Sequence, residues 1–160
     1  MNARTITQRL LNSPDDLAPL LLRVPLGLTF AAHGAQKLFG WFGGYGLSGT
    51  GEFFASIGLN PGITMALLAG SAEFFGGLAL VLGLLVRPAA ALLAFTMLIA
   101  VFAVHWSKGF FAAAGGYEYA MMLFFASAAL MASGAGRLAL DRWWLGRKPR
   151  MATAGEALAA

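Results

Sequence analysis

Four long apolar segments dominate this sequence, over residues 17–39, 63–86, 88–106 and 119–140. A helix needs roughly 20 apolar residues to cross a hydrocarbon core about 30 Å thick, so each segment is long enough to span a membrane. The segments are rich in Ala and Leu and do not alternate polar with apolar residues, which argues against membrane-spanning strands. We therefore predict an all-α fold, an integral membrane four-helix bundle.

The composition excludes a water-soluble monomer. Of the 160 residues, 59% are hydrophobic and 11% are charged, whereas an ordinary soluble domain is about 25% charged. The chain has no Cys, which excludes disulfides and thiolate metal sites, and we expect no metal site. The net charge of +4 comes without a nucleic-acid-binding motif, so we expect the basic residues to contact lipid and not nucleic acid.

The distribution of basic residues predicts the orientation of the spans. With four spans, both termini lie on one side of the membrane. That side carries most of the Lys and Arg residues: Arg4, Arg9, Arg87, Arg137, Arg142, Arg147, Lys148 and Arg150. The opposite side carries Lys37 and Lys108, so the positive-inside rule places both termini in the cytoplasm.

This orientation divides the chain into three parts. We expect a cytoplasmic N-terminal segment over residues 1–16, a transmembrane domain over 17–142 and a basic, flexible cytoplasmic tail over 143–160. A glycine-rich loop over 40–62 then lies on the outer side, and within it Gly51–Gly58 is expected to form a short interfacial helix.

Six ionisable side chains lie within or beside the spans, where each costs roughly 2.5–3.5 kcal/mol on insertion scales. They are Arg23, His33, Lys37, Glu73, His105 and Glu118. At about 1.5 Å per residue, all of them except Arg23 fall in the outer half of the bilayer. We expect an inward-facing polar pocket there, whose members are candidates for ligand binding or proton relay, with Arg23 able to reach Glu73 from the cytoplasmic side.

Glycines predict where the helices pack closely. Gly27 and Gly34 lie on the first span, and Gly70, Gly76 and Gly77 lie on the second. Small residues let helix backbones approach each other in membranes. This close approach is expected to bring Glu73 to the basic residues of the first helix.

Each ionisable residue also has a purely structural interpretation. Arg23 and Glu73 would form an ion pair that fixes helix registry, so removing Glu73 is expected to destabilise the fold more than removing Lys37. Lys37 and Lys108 would extend to the outer head groups. His105 would be a side chain at the membrane interface. Glu118 would be an acid at the start of a helix, where it complements the helix dipole.

The predicted pocket suits the head group of a quinone, because its carbonyls need hydrogen-bond donors and its reduction takes up protons that His and Glu can relay. Haem b is disfavoured, since His33 shares its helix face with Lys37 and His105 is the only second histidine available as an axial ligand. Transport of a small solute or of protons and a purely architectural role are the remaining alternatives.

The motifs, taken in order, resemble one family. The first two spans contain Arg23…Gly27…His33-Gly34…Lys37-Leu38 and Glu73-Phe74-Phe75-Gly76-Gly77-Leu78…Gly83 running into Arg87-Pro88. The third ends with Val104-His105-Trp106…Gly109, and the fourth opens with Tyr117-Glu118-Tyr119 and closes near Gly134-Ala135-Gly136…Leu140-Asp141. This set is similar to that of the DoxX family of small four-helix bacterial inner-membrane proteins, over about residues 17–142.

The resemblance implies a multi-pass protein of the bacterial cytoplasmic (inner) membrane. It implies a subunit of, or accessory to, a quinone-linked or thiol-redox oxidoreductase complex, non-catalytic or co-catalytic, with oxidoreductase subunits or further copies of itself as partners in the lipid bilayer. The lack of Cys removes any sulfur-relay role. The alternative is a small transporter, or a membrane interaction or scaffold protein, without redox chemistry.

Overall fold

The structure, a computed structural model, describes residues 16–144. The expected N-terminal segment, apart from Asp16, and the expected tail beyond Trp144 lie outside the described residues. Within this part of the chain, every regular element is helical. The α-helices are α1 (Ala18–Phe39), α2 (Gly46–Ser56), α3 (Gly62–Leu82), α4 (Val86–Ile99), α5 (Glu118–Ser133) and α6 (Leu140–Trp144).

Two helical runs are long and apolar enough to cross a membrane. They are Gly62–Leu82 and Val86–Lys108, the second of which continues α4 through a π-helix at Ala100–His105. Helix α5 is apolar but has only 16 residues. The predicted fourth span, to residue 140, is therefore too long: the helix ends where Gly134 takes up φ 85° and ψ −161°, outside the helical region.

The long helices pack around a common core. Helix α1 lies along α3, α3 contacts α4, and α4 packs against α5. The largest apolar side chains between them are fully buried: Phe30, Leu80, Leu93 and Leu130. Large apolar side chains also remain exposed around the outside, among them Leu21, Phe75, Phe95 and Met122, so the exterior is far more apolar than the surface of a soluble protein.

Helices α1 and α3 cross with their backbones almost in contact. A Cβ atom placed on Gly27 would lie 2.6 Å from the carbonyl oxygen of Gly77, and one on Gly34 would overlap the backbone nitrogen of Phe74. No side chain larger than hydrogen fits between the helices at these points. The crossing therefore depends on glycine at both positions.

At two more glycines, the space that a Cβ atom would occupy is filled by the side chain of a neighbouring helix. A Cβ atom on Gly70 would lie 2.8 Å from the side chain of Leu38, which packs into this gap from α1. A Cβ atom on Gly76 would lie 3.2 Å from the side chain of Leu93, which reaches it from α4. All five glycines singled out in the sequence thus lie at close helix contacts.

Helix α2 folds over the first turns of α3. Gly51 lies against Ile63, and Gly62 lies against the backbone of Gly51 and Ala55. The helix begins five residues before the predicted Gly51–Gly58 segment. As a result, the side of α3 beyond the end of α1 is covered.

The chain has two distinct ends. At one, which we call the terminal end, the backbone N–H of Arg137 donates to the carbonyl of Asp16 (2.9 Å), and that of Asp141 donates to the carbonyl of Gly83 (3.0 Å). The loops over residues 40–45 and 106–117 lie at the other end, which we call the loop end. Charged residues at these two ends have very different surroundings.

Candidate functional site

Arg23 is the centre of the terminal end. Its side chain is buried, with a relative exposure of 1%, and its five N–H donors make five hydrogen bonds to backbone carbonyls. Two come from the last turn of α3 and three from the segment after α5: Leu80 (2.7 Å), Val81 (2.6 Å), Ala135 (3.0 Å), Arg137 (3.3 Å) and Leu138 (2.7 Å). A single guanidinium therefore joins the C-terminal carbonyls of α3 to the segment that follows α5.

Asp141 complements Arg23 at the same end. Its carboxylate accepts hydrogen bonds from the backbone N–H groups of Leu85 (2.7 Å) and Val86 (3.1 Å), at the start of α4. Burial raises the pKa of Asp141 above its ordinary value, while these two N–H groups and the charge of Arg23 act in the opposite direction. Between the two charged residues lies Gly83, at φ 69°, where a Cβ atom would be 3.0 Å from the Arg23 guanidinium carbon.

Arg87 caps a third helix end. Its guanidinium donates to the carbonyls of Met131 (2.8 Å) and Ala132 (2.7 Å), in the last turn of α5. A cation at a helix C-terminus also interacts favourably with the helix dipole. The charged side chains of the terminal end thus form hydrogen bonds with backbone groups at the ends of helices.

Lys37 and Glu73 form the ion pair that the structure buries between α1 and α3. The Nζ atom of Lys37 lies 2.5 Å from Oε2 of Glu73, and the side chains are 24% and 4% exposed. The expected pairing of Glu73 with Arg23 is therefore wrong. Arg23 is fourteen residues, or about 21 Å of helix, away from Lys37 and is occupied by carbonyls.

The position of Lys37 follows from the crossing. Lys37 is near the C-terminus of α1, but its Cβ lies 3.3 Å from the ideal Cβ of Gly70, in the interior of α3. Since α3 continues beyond the end of α1, the Lys37 side chain lies along α3 and is half-buried there. It binds Glu73 instead of extending to the head groups.

The ion pair has unused hydrogen-bonding capacity. An ammonium group has three N–H donors and a carboxylate has two acceptor oxygens. Within the described residues, Lys37 makes one hydrogen bond, to Glu73, and Oε1 of Glu73 accepts none. A bound molecule can therefore bond both partners without breaking a bond to any third residue.

His33 lies one helical turn before Lys37 on α1, on the neighbouring part of the helix surface. Its ring is half-buried and lies 6.1 Å from the ring of Tyr119, at the start of α5. This contact connects the ion-pair region with α5.

His105 and Glu118 are engaged by the loop that joins α4 to α5. Nδ1 of His105 lies 2.7 Å from the carbonyl oxygen of Gly115; because that oxygen only accepts, Nδ1 carries the proton. Oε1 of Glu118 accepts from the backbone N–H of Ala112 (2.8 Å). Both side chains hold loop backbone.

The six predicted site residues therefore separate into three groups. Lys37 and Glu73 are bonded to each other with His33 nearby, His105 and Glu118 brace a loop, and Arg23 lies at the opposite end. Within residues 16–144, no cluster of three or more His, Asp or Glu side chains is placed to hold a metal ion.

Two structurally important residues appear in the sequence analysis only as parts of the family motifs. Asp141 closes the last motif, but it lies outside the predicted spans, so no burial cost drew attention to it. Tyr119 was noted only as part of a motif. Its position one residue after Glu118, in the first turn of α5, was the available signal, because its ring contacts His33.

Two apolar helical runs of membrane-spanning length and an apolar exterior are typical of a small helical membrane protein. The comparison with protein families agrees with this class: the DoxX family model matches residues 18–106, which is more than half of the chain. The protein belongs to the DoxX family.

Curated relatives extend the similarity beyond the matched segment. "Putative oxidoreductase CatD" of Bacillus subtilis (strain 168) is 34% identical over 131 residues, covering 82% of this chain and 90% of the relative. An uncharacterized protein of Haemophilus influenzae is 37% identical over 123 residues, covering 75% and 85%. No solved structure matches this chain.

Replacing Arg23 with Lys should destabilise the protein strongly. Lysine has three donors on a flexible stem and cannot reproduce five bonds made by a planar guanidinium, and each buried carbonyl left without a partner costs about 1–3 kcal/mol. We expect Arg23→Lys to lower the melting temperature in detergent more than Arg87→Lys, since Arg87 is less buried and water can replace its bonds. Equal shifts for the two variants would contradict the central position of Arg23.

Lys37→Ala should destabilise the protein more than Glu73→Ala, the reverse of the order expected from the sequence. Removing Lys37 leaves the more deeply buried carboxylate without its partner, which costs about 3–5 kcal/mol, whereas Lys37 left alone can extend towards water. Thermal unfolding in detergent measures both effects. The matched control, Lys37→Met combined with Glu73→Gln, should recover stability relative to Lys37→Ala; a double variant no more stable than Lys37→Ala would refute this interpretation.

Proposed function

We propose that this protein is a multi-pass protein of the bacterial cytoplasmic membrane, with four spans and both termini in the cytoplasm. We propose further that it is a non-catalytic or co-catalytic subunit of a quinone-linked or thiol-redox oxidoreductase. The ion pair between Lys37 and Glu73 carries this proposal. It is a polar site inside an apolar protein, and intramembrane ionisable groups mark ligand or proton pathways by default.

A quinone head group matches the chemistry of the site. Its carbonyl oxygens accept hydrogen bonds, and the Lys37 ammonium has donors left after binding Glu73. Glu73 holds the ammonium in place, and its second oxygen can take up or release a proton. When bound, the quinone supplies two-electron redox chemistry; the protein's own part is to bind the carbonyl, orient the ring and move the proton.

Neighbouring side chains add to this fit. Half-buried His33 lies one turn from Lys37, and its ring nitrogens can donate or accept a hydrogen bond at the site. The ring of Tyr119 faces His33, and aromatic rings pack favourably against planar apolar ligands. The name of one relative, "Putative oxidoreductase CatD", supports the same class of function.

Quinone binding can be measured by quenching of tryptophan fluorescence. Trp41 packs on Phe39 (ring centroids 5.0 Å apart), and Phe39 packs on Phe74 (5.3 Å), the residue that follows Glu73. A short-tailed ubiquinone added to the protein in lipid nanodiscs should therefore quench the fluorescence saturably. Lys37→Met should weaken binding about tenfold or more, corresponding to one charge-assisted hydrogen bond of about 1.4 kcal/mol.

Lys108→Met is the matched control, because Lys108 is an exposed lysine at the same end of the protein and makes no bond to Glu73. Gel filtration of each variant checks that it is folded. Saturable quenching that is unchanged in Lys37→Met would refute the assignment of the site, and the absence of saturable quenching in the unmodified protein would refute quinone binding.

A further inference from the structure

The loop over residues 106–117, between α4 and α5, is unusually apolar for a connecting segment. Apart from Ser107, Lys108 and the hydroxyl of Tyr117, it consists of Gly, Ala, Trp and Phe. Phe111 is 68% exposed and Phe110 is 44% exposed. Loops that face water usually carry polar side chains at their tips, so these exposed rings require a different environment.

The backbone of this loop is largely satisfied from within. Two side chains take part, since Glu118 accepts from the N–H of Ala112 and His105 binds the carbonyl of Gly115. Six further backbone N–H groups donate to carbonyls of residues 106–112: those of Gly109, Ala114, Gly115, Gly116, Tyr117 and Glu118. A loop in water has no need of this pairing, whereas a loop in contact with lipid must make it, because lipid offers no replacement hydrogen bonds.

Aromatic packing gives the loop a fixed shape. Trp106 stacks on Tyr117, with ring centroids 5.0 Å apart and planes at 19°, and Phe110 meets the edge of Tyr117 at 5.5 Å. Phe111 contacts Phe110 and extends furthest into the surroundings. These contacts hold the rings in fixed positions on the loop over residues 106–117, which we call the aromatic platform.

Lys108 places one positive charge at the edge of the aromatic platform. Its Cδ and Nζ lie 3.1 Å and 3.7 Å from the ideal Cβ of Gly115, so the aliphatic stem and the ammonium both lie along the loop, while the residue as a whole stays exposed. A lysine whose stem lies on apolar surface keeps its charge accessible to head groups, as lysines do at a membrane interface. The ammonium suits the phosphate of a phospholipid head group.

We propose that loop 106–117 is a lipid-binding element, which inserts Phe110 and Phe111 into the boundary between head groups and acyl chains and binds lipid phosphate through Lys108. The loop directly continues the apolar run Val86–Lys108, which is long enough to cross a membrane. In this account, His105 and Glu118 position the loop for lipid and take no part in the Lys37–Glu73 site. The inference rests on the membrane insertion included in the proposed function, but not on quinone binding.

Spin labels measure the depth of the loop directly, and the absence of Cys makes single-site labelling unambiguous. The label is placed at Phe111→Cys, with Phe95→Cys as the matched control; Phe95 is an exposed phenylalanine in the middle of α4, 61% accessible. Power saturation of the full-length protein in phospholipid vesicles compares collisions with oxygen, which concentrates in lipid, and with a water-soluble nickel chelate.

The label at Phe111 should collide more with oxygen than with nickel, at a depth of about 5–10 Å below the head groups, and the label at Phe95 should lie deeper. Nickel-dominated collisions at Phe111, with Phe95 in lipid, would overturn the inference and place the loop in water. Shielding of Phe111 from both reagents would also overturn it and indicate a covering protein. Nickel-dominated collisions at Phe95 would refute membrane insertion itself, and with it both proposals.

Discussion

The close crossing of α1 and α3 is the constraint on which the rest of the structure depends. Glycine at Gly27, Gly34 and Gly77 lets the two backbones meet, and a helix pair this close has little freedom to slide. The crossing places Arg23 beside the last turn of α3 and, fourteen residues later, Lys37 beside Glu73. Both polar centres are therefore consequences of one packing contact.

The two polar centres use their charges differently. At the terminal end, Arg23, Arg87 and Asp141 bind backbone groups at helix ends, where the helix itself leaves N–H and C=O groups without intrahelical partners. The bonds of these charged side chains are made to the fold itself. Lys37 and Glu73 instead bind each other and keep donors and acceptors to spare, which is why we assign the function to this pair and a structural role to Arg23.

The sequence predicted those features of the fold that follow from local periodicity along the chain. Apolar length and helical spacing predicted that the chain is helical, and they selected the glycines that lie at the contacts. The partners of Arg23 were not predictable in this way, because three of the five carbonyls it binds come from the chain after α5, which folds back at Gly134. The pairing of Lys37 with Glu73 depends on the register of α1 against α3. The bonds of His105 and Glu118 depend on the path of a loop, which spacing along the chain does not encode.

The crossing itself can be tested with an engineered disulfide, since the chain has no Cys of its own. The Cγ atom of Leu38 lies 2.9 Å from the ideal Cβ of Gly70, so a sulfur at that position is within disulfide reach. After oxidation in membranes, the pair Leu38→Cys and Gly70→Cys should be protected from thiol alkylation. A pair on the outer faces of the same helices, Leu28→Cys and Phe75→Cys, should stay reactive. Alkylation of the first pair to the same extent as the second would contradict the crossing and the two polar centres that depend on it.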